Sequence, residues 1–107
     1  MNRKFIDFDA QVCLVTGAGS GSGIGFQTAK ILGELGASIA LAATTDRIYE
    51  RARELKCLGI TARGYIADLM DRSQTEAMVR KIAEDFGTVH VLINNAGMAQ
   101  VGQEEDF

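Results

Sequence analysis

The chain has 107 residues, 47% of them hydrophobic and 23% charged, with a formal net charge of −3. That is room for one globular domain with a modest core, and it carries no basic footprint for nucleic acid. No run approaches the roughly 18 apolar residues of a membrane span, and the mixed charges from Met1 to Ala10 do not read as a signal peptide, so no membrane partner and a cytoplasmic location are expected.

In chain order, Gln11 to Thr16 reads as a buried strand. Gly23 to Leu35 follows as a helix, with Ile24, Ala29, Ile31, Leu32 and Leu35 on its apolar face and Gly36 just past its end. Ser38 to Ala43 is a second strand. Asp46 to Leu58 is a second helix, with Ile48, Ala52 and Leu55 inward, Asp46 as its expected N-cap and Gly59 closing it. Thr61 to Ile66 is a third strand. Ser73 to Phe86 is a third helix, opened by a Ser73–Glu76 capping box and ended by Gly87. Val89 to Ile93 is the fourth strand. Cys13 and Cys57 fall in a strand and a helix, and both are expected to be reduced, packed thiols without a disulfide or metal role.

Strands that alternate with single helices pair in parallel through right-handed crossovers. The expected class is therefore α/β, half of a Rossmann-like doubly wound parallel sheet with strand order 3-2-1-4. The order reverses between the first and fourth strands, and a ligand is expected outside the carboxyl ends of those two strands.

Both marked segments of the sequence fall at that point. There are twelve glycines and no proline, and five of the glycines lie between Gly17 and Gly25, between the first strand and the first helix. A glycine turn entering a helix N-terminus offers bare backbone N–H groups and the positive end of the helix dipole, which suits a pyrophosphate. Ser20 and Ser22 would add hydroxyl donors, and Gly25 would let the helix pack closely on the strand. The bland alternative is a turn without a ligand. The common Gly-x-Gly-x-x-Gly fingerprint is not met: from Gly17, Gly19 or Gly21 its third glycine falls on Ser22, Ile24 or Phe26. The second segment, Asn94-Asn95-Ala96-Gly97, ends the fourth apolar run.

The pattern that fits is Thr16-Gly17, five residues, then Gly23-Ile24-Gly25. It resembles the Thr-Gly-x3-Gly-x-Gly segment of the short-chain dehydrogenase/reductase family, lengthened by two residues. Gly36-Ala37, Asp68-Leu69 and the Asn-Asn-Ala-Gly tetrapeptide extend that resemblance over essentially the whole chain. It implies a dinucleotide cofactor whose pyrophosphate is lined by Gly17, Ser20, Ser22, Gly23, Ile24 and Gly25. Asp68 would face the adenine amino group, the Leu69 nitrogen the ring, and Asn95, Ala96 and Gly97 the adenosine ribose.

Cofactor choice turns on the end of the second strand. NAD asks for an acid there, NADP for room and a basic or hydroxyl group. Ala43 stands at the acid position, followed by Thr44, Thr45, Asp46 and Arg47. The reading is NADP, through Thr44, Thr45 and Arg47. NAD stays open because of Asp46, and because Ser22 stands where many NADP enzymes carry a basic residue.

The resemblance also implies hydride transfer between nicotinamide and a carbonyl or alcohol. The strand ending is similar to that of the 3-oxoacyl-carrier-protein reductases, which makes such a reductase the first guess for the parent protein. Alternatives are a non-catalytic nucleotide-binding module, or the divergent enoyl-reductase branch, which matches the loop length but lacks Asn-Asn-Ala-Gly. The family's catalytic Ser, Tyr, Lys and helical Asn have no counterpart at matching positions here, and no Tyr-x3-Lys occurs anywhere in the chain. The chain therefore reads as the dinucleotide-binding half, residues 1–107, cut before the catalytic segment and inactive by itself. Its fourth strand would be an apolar edge, so a homo-oligomer or association with the missing C-terminal half is expected. His90 reads as structural. Tyr49 with Arg53 only imitates a Tyr-x3-Lys spacing, and Met70, Met78 and Met98 read as packing.

Overall fold

The computed structural model describes residues 7–19 and 23–95. Its elements run β1 (Val12–Thr16), α1 (Ile24–Glu34), β2 (Ser38–Ala43), α2 (Arg47–Cys57), β3 (Ala62–Ile66), α3 (Arg72–Phe86) and β4 (Val91–Asn94). The strands form one sheet in the order β3-β2-β1-β4, with every neighbouring pair parallel. Cys13 lies between Ile39 of β2 and Val91 of β4, which fixes the register at the centre. The order expected from the alternating pattern is the one observed.

Parallel strands buried on both faces need apolar residues at every position, and all five residues of β1 are buried. Alternate side chains feed two cores. On one face Cys13, Val15, Ile39, Leu41 and Ala62 pack with Phe26 and Ala29 of α1 and Ile48, Ala52 and Leu55 of α2. On the other, Leu14, Ala40, Ala42 and Tyr65 pack with Met78 and Ile82 of α3. Gly36 turns the chain out of α1 with φ of 110°, a conformation that side-chain-bearing residues rarely adopt.

Five local expectations need correcting. The buried residues of α1 are Gly25, Phe26 and Ala29, whereas Ile24 and Ile31 are exposed. Close packing of Gly25 sets the helix phase, and those two isoleucines fall on the outer side. Asp46 occupies the N-cap position of α2, but its backbone is already helical and its side chain caps nothing. The α3 cap is Asp71, whose Oδ1 accepts from the N–H groups of Ser73 at 2.9 Å and Gln74 at 3.3 Å; Ser73 is inside the helix. Cys57 is exposed rather than packed, while Cys13 is fully buried, which pushes its thiol pKa up. Met70 is 85% exposed, and only Met78 of the described methionines is core. Met98 lies outside the described residues.

Candidate functional site

Thr16 and Asn94 are register partners at the carboxyl ends of β1 and β4. From there the chain leaves β1 through Gly17, with φ of 69° and its N–H donated to the Ala42 carbonyl at 3.0 Å. Gly23 is the N-cap of α1 in an extended conformation. No side chain among the described residues caps this helix start, and its first turn holds no acid. Its N–H groups and the positive end of its dipole are thus left for an anion from outside the helix. Gly25 meets the loop so closely that a Cβ there would lie 2.7 Å from the Gly17 carbonyl oxygen. Any side chain at that position would push the helix start away from the loop backbone. Gly19 faces the exit of β2, where its Cβ would sit 3.4 Å from that of Ala43. Ile24 opens α1 and is 74% exposed. Ser20 and Ser22 lie outside the described residues, as do Ala96 and Gly97.

The junction with β4 is organised by Thr16, the one buried polar residue among those described. Its hydroxyl donates to Asn94 Oδ1 at 2.9 Å and accepts from the Asn95 N–H at 3.1 Å. One side chain thereby fixes both the Asn94 amide and the Asn95 backbone. Sequence reading used Thr16 only as part of a pattern; the signal that finds it is a hydroxyl where an inner strand otherwise stays apolar. Asn95 Nδ2 is buried with no hydrogen-bond partner. A buried amide nitrogen asks for an acceptor, so this atom fits a site that receives a polar ligand.

At the β2 exit Ala43 is partly exposed, and Thr44, Thr45, Asp46 and Arg47 are exposed. Arg47 joins no ion pair among the described residues. At the β3 exit Ala67 donates its N–H to the Ala43 carbonyl at 3.0 Å, tying that turn to the β2 end. Asp68 is exposed and Leu69 partly buried against the second core. The fold therefore brings Gly17, Gly23, Ile24, Gly25 and Asn95 to the switch point. Thr44, Thr45 and Arg47, then Asp68 and Leu69, follow along the same sheet edge.

Two hollows among the described residues lie away from the switch point. One of about 440 Å³ sits on the outer edge of β3, lined by Tyr49, Arg63, Tyr65, Lys81 and Asp85 among others. Part of the switch-point lining is outside the described residues, so the exposed backbone there weighs more than this hollow. In it the Tyr65 hydroxyl donates to Asp85 Oδ2 at 2.7 Å. Burial, then the Asp85 hydrogen bond, pushes the Tyr65 pKa well up. That hydrogen bond is also the main cause holding Asp85 below its ordinary value of 3.8, and Lys81 and Arg63 add to it. His90 is structural, as expected: its Nδ1 accepts the Val12 N–H at 2.9 Å. No cluster of metal-binding side chains occurs among the described residues, and none of their helices is long and apolar enough to cross a membrane.

The short chain dehydrogenase family model matches residues 11–107. A C alpha-dehydrogenase of Sphingobium sp. strain SYK-6 is 39% identical over 101 residues, 92% of this chain and 32% of that protein. Among solved structures, an actinorhodin polyketide ketoreductase variant with NADPH superposes with a TM-score of 0.77 at 38% identity. The match covers 81% of this chain and 33% of the ketoreductase. An NAD+-bound xylitol dehydrogenase gives a TM-score of 0.74 at 34% identity, covering 79% of this chain and 32% of the other. The chain thus spans about a third of the length of the relatives it matches. With the 3-2-1-4 sheet, the glycine turn into α1 and the Thr16-anchored asparagines all in place, the chain belongs to the short-chain dehydrogenase/reductase family.

Proposed function

We propose that residues 1–107 are the dinucleotide-binding half of an oxidoreductase, holding the adenosine and pyrophosphate of NADP(H). The observation that carries this reading is the acid-free start of α1 at the switch point, which no side chain among the described residues caps, reached by a turn so close that a Cβ at Gly25 would meet the Gly17 carbonyl. Gly17, Ser20, Ser22, Gly23, Ile24 and Gly25 would line the pyrophosphate. Asn95, Ala96 and Gly97 would lie beside the ribose, and Asp68 and Leu69 at the adenine. When bound, the nicotinamide supplies or takes the hydride exchanged with a carbonyl or alcohol. This chain's own residues bind and orient the other end of the cofactor. The likeness to a polyketide ketoreductase supports a 3-oxoacyl thioester as substrate of the parent protein.

Relatives of both cofactor kinds exist, one solved with NADPH and one with NAD+. The preference for NADP rests on Ala43, which leaves no acid at the β2 end, and on exposed Thr44, Thr45 and Arg47 beyond it. Among the described residues β4 ends the sheet, which supports the expectation that this edge takes a further strand of the parent chain or of a second copy.

Titration calorimetry with 2′-phospho-AMP against AMP tests the cofactor reading. The phosphorylated nucleotide should bind tighter. Arg47→Ala should remove roughly 1.5–3 kcal/mol of that difference and leave AMP unchanged. Equal affinity of the unaltered protein for both nucleotides would sink it.

A further inference from the structure

The turn between β3 and α3 is held by an unusually complete set of hydrogen bonds. Gln74 is at its centre. Its Oε1 accepts the Asp68 N–H at 2.9 Å, and its Nε2 donates to Asp71 Oδ2 at 3.2 Å. The other Asp71 oxygen caps α3. The Asp68 carbonyl accepts from the Asp71 N–H at 2.9 Å, and Asp68 Oδ1 from the Met70 N–H at 3.0 Å. The Leu69 carbonyl takes the Thr75 hydroxyl at 3.4 Å. Among the groups of the turn that take no bond in this web are Asp68 Oδ2 and the Leu69 N–H. They are an acceptor and a donor on successive residues.

We propose that Gln74 is a positioning residue for base recognition: by clamping the Asp68 backbone to the helix cap it holds an acceptor–donor pair that selects adenine over hypoxanthine. This rests on the reading that Asp68 and Leu69 face the base. Adenine presents a 6-amino donor beside an N1 acceptor. Hypoxanthine presents a 6-oxo acceptor beside an N1–H donor, the inverse pattern. A pair fixed in direction accepts the first and leaves two unmatched contacts with the second, whereas a loosened turn can re-aim either group. Gln74 touches no ligand in this scheme and acts only through the orientation of its neighbours.

AMP and IMP differ at this base edge, so the ratio of their dissociation constants for one protein sample is insensitive to partial unfolding. The unaltered protein should favour AMP. Gln74→Ala should lower that ratio roughly fivefold, the equivalent of one lost hydrogen bond of ordinary strength. Gln74→Glu should lower it as well, because a carboxylate opposes Asp71 Oδ2. Adding Asp71→Asn to Gln74→Glu restores a donor opposite an acceptor and should restore the ratio. If the unaltered protein favours AMP and both single variants keep that preference, the clamp is refuted while the base-edge reading stands. If the double variant stays as unselective as Gln74→Glu, the clamp is likewise refuted. Equal binding of AMP and IMP by the unaltered protein overturns the base-edge reading, and the clamp with it.

Discussion

The two faces of the sheet are built on the same strands and closed by different means. On one face two helices approach until backbone meets backbone. A Cβ at Gly25 would lie 2.7 Å from the Gly17 carbonyl oxygen, and one at Gly64 would lie 3.0 Å from the Ile48 carbonyl oxygen. On the other face α3 covers the alanine floor of β2 with only Met78 and Ile82 buried, and the Tyr65–Asp85 hydrogen bond ties it to β3. Val91 and Ile93 of β4 pack into the first face, while Leu92 between them is exposed. The face of α1 and α2, where the pyrophosphate is proposed to lie, is thus set by van der Waals contact, which has almost no give. The face of α3, which opens at the proposed base edge, is set by directional bonds around a more thinly packed helix, which can be exchanged one at a time.

Gly25→Val breaks the first face most directly. It should cost about 3 kcal/mol or more through overpacking and abolish nucleotide binding, read by urea unfolding and calorimetry. A variant of unchanged stability would mean that the loop, not the helix, yields there. A milder probe removes one fully buried side chain from each face. Leu55→Ala in α2 should cost about 3 kcal/mol and Ile82→Ala in α3 about 2, because the thinner face can collapse further into the gap. Equal losses would show the faces to be equally rigid. The smallest effect concerns the polar tie. Asp85 has a depressed pKa in the folded protein, so its contribution is present above the ordinary aspartate range and fades as pH falls through the depressed value. Tyr65→Phe should lower the melting temperature at neutral pH, and the gap to the unaltered protein should narrow in acid. A gap independent of pH would assign the loss to packing alone.

The same contrast explains what the sequence reveals. Strand order was legible because three helix-length segments, each closed by a glycine, separate four apolar runs, and parallel pairing then leaves few topologies. Ile48, Ala52 and Leu55 were legible because α2 is charged everywhere else but at Tyr49 and Cys57. The phase of α1 was not. Ile24 and Ile31 outweigh Gly25 by hydrophobicity, yet the glycine decides the phase because it alone can touch the loop. The cap of α3 was misplaced by two residues, since Asp71 and Ser73 are both good caps and only backbone geometry chooses between them. Of the candidate site, the glycines and Asn95 could be singled out from their pattern. The Thr16 hydroxyl bridge and the Gln74 clamp were not, because each joins atoms whose closeness follows only from the folded chain.

The contact between Gly19 and Ala43 has a practical side for anyone redesigning coenzyme preference. The two positions stand 3.4 Å apart, Cβ to Cβ, were Gly19 to carry one. An acid introduced at Ala43 to favour the unphosphorylated coenzyme grows from a carbon that a Cβ at Gly19 of the glycine loop would touch. Its side chain has to run past Gly19, and any residue but glycine there would crowd it. The loop and the selectivity position behave as one coupled unit, and substitutions at the two should be screened jointly rather than in succession.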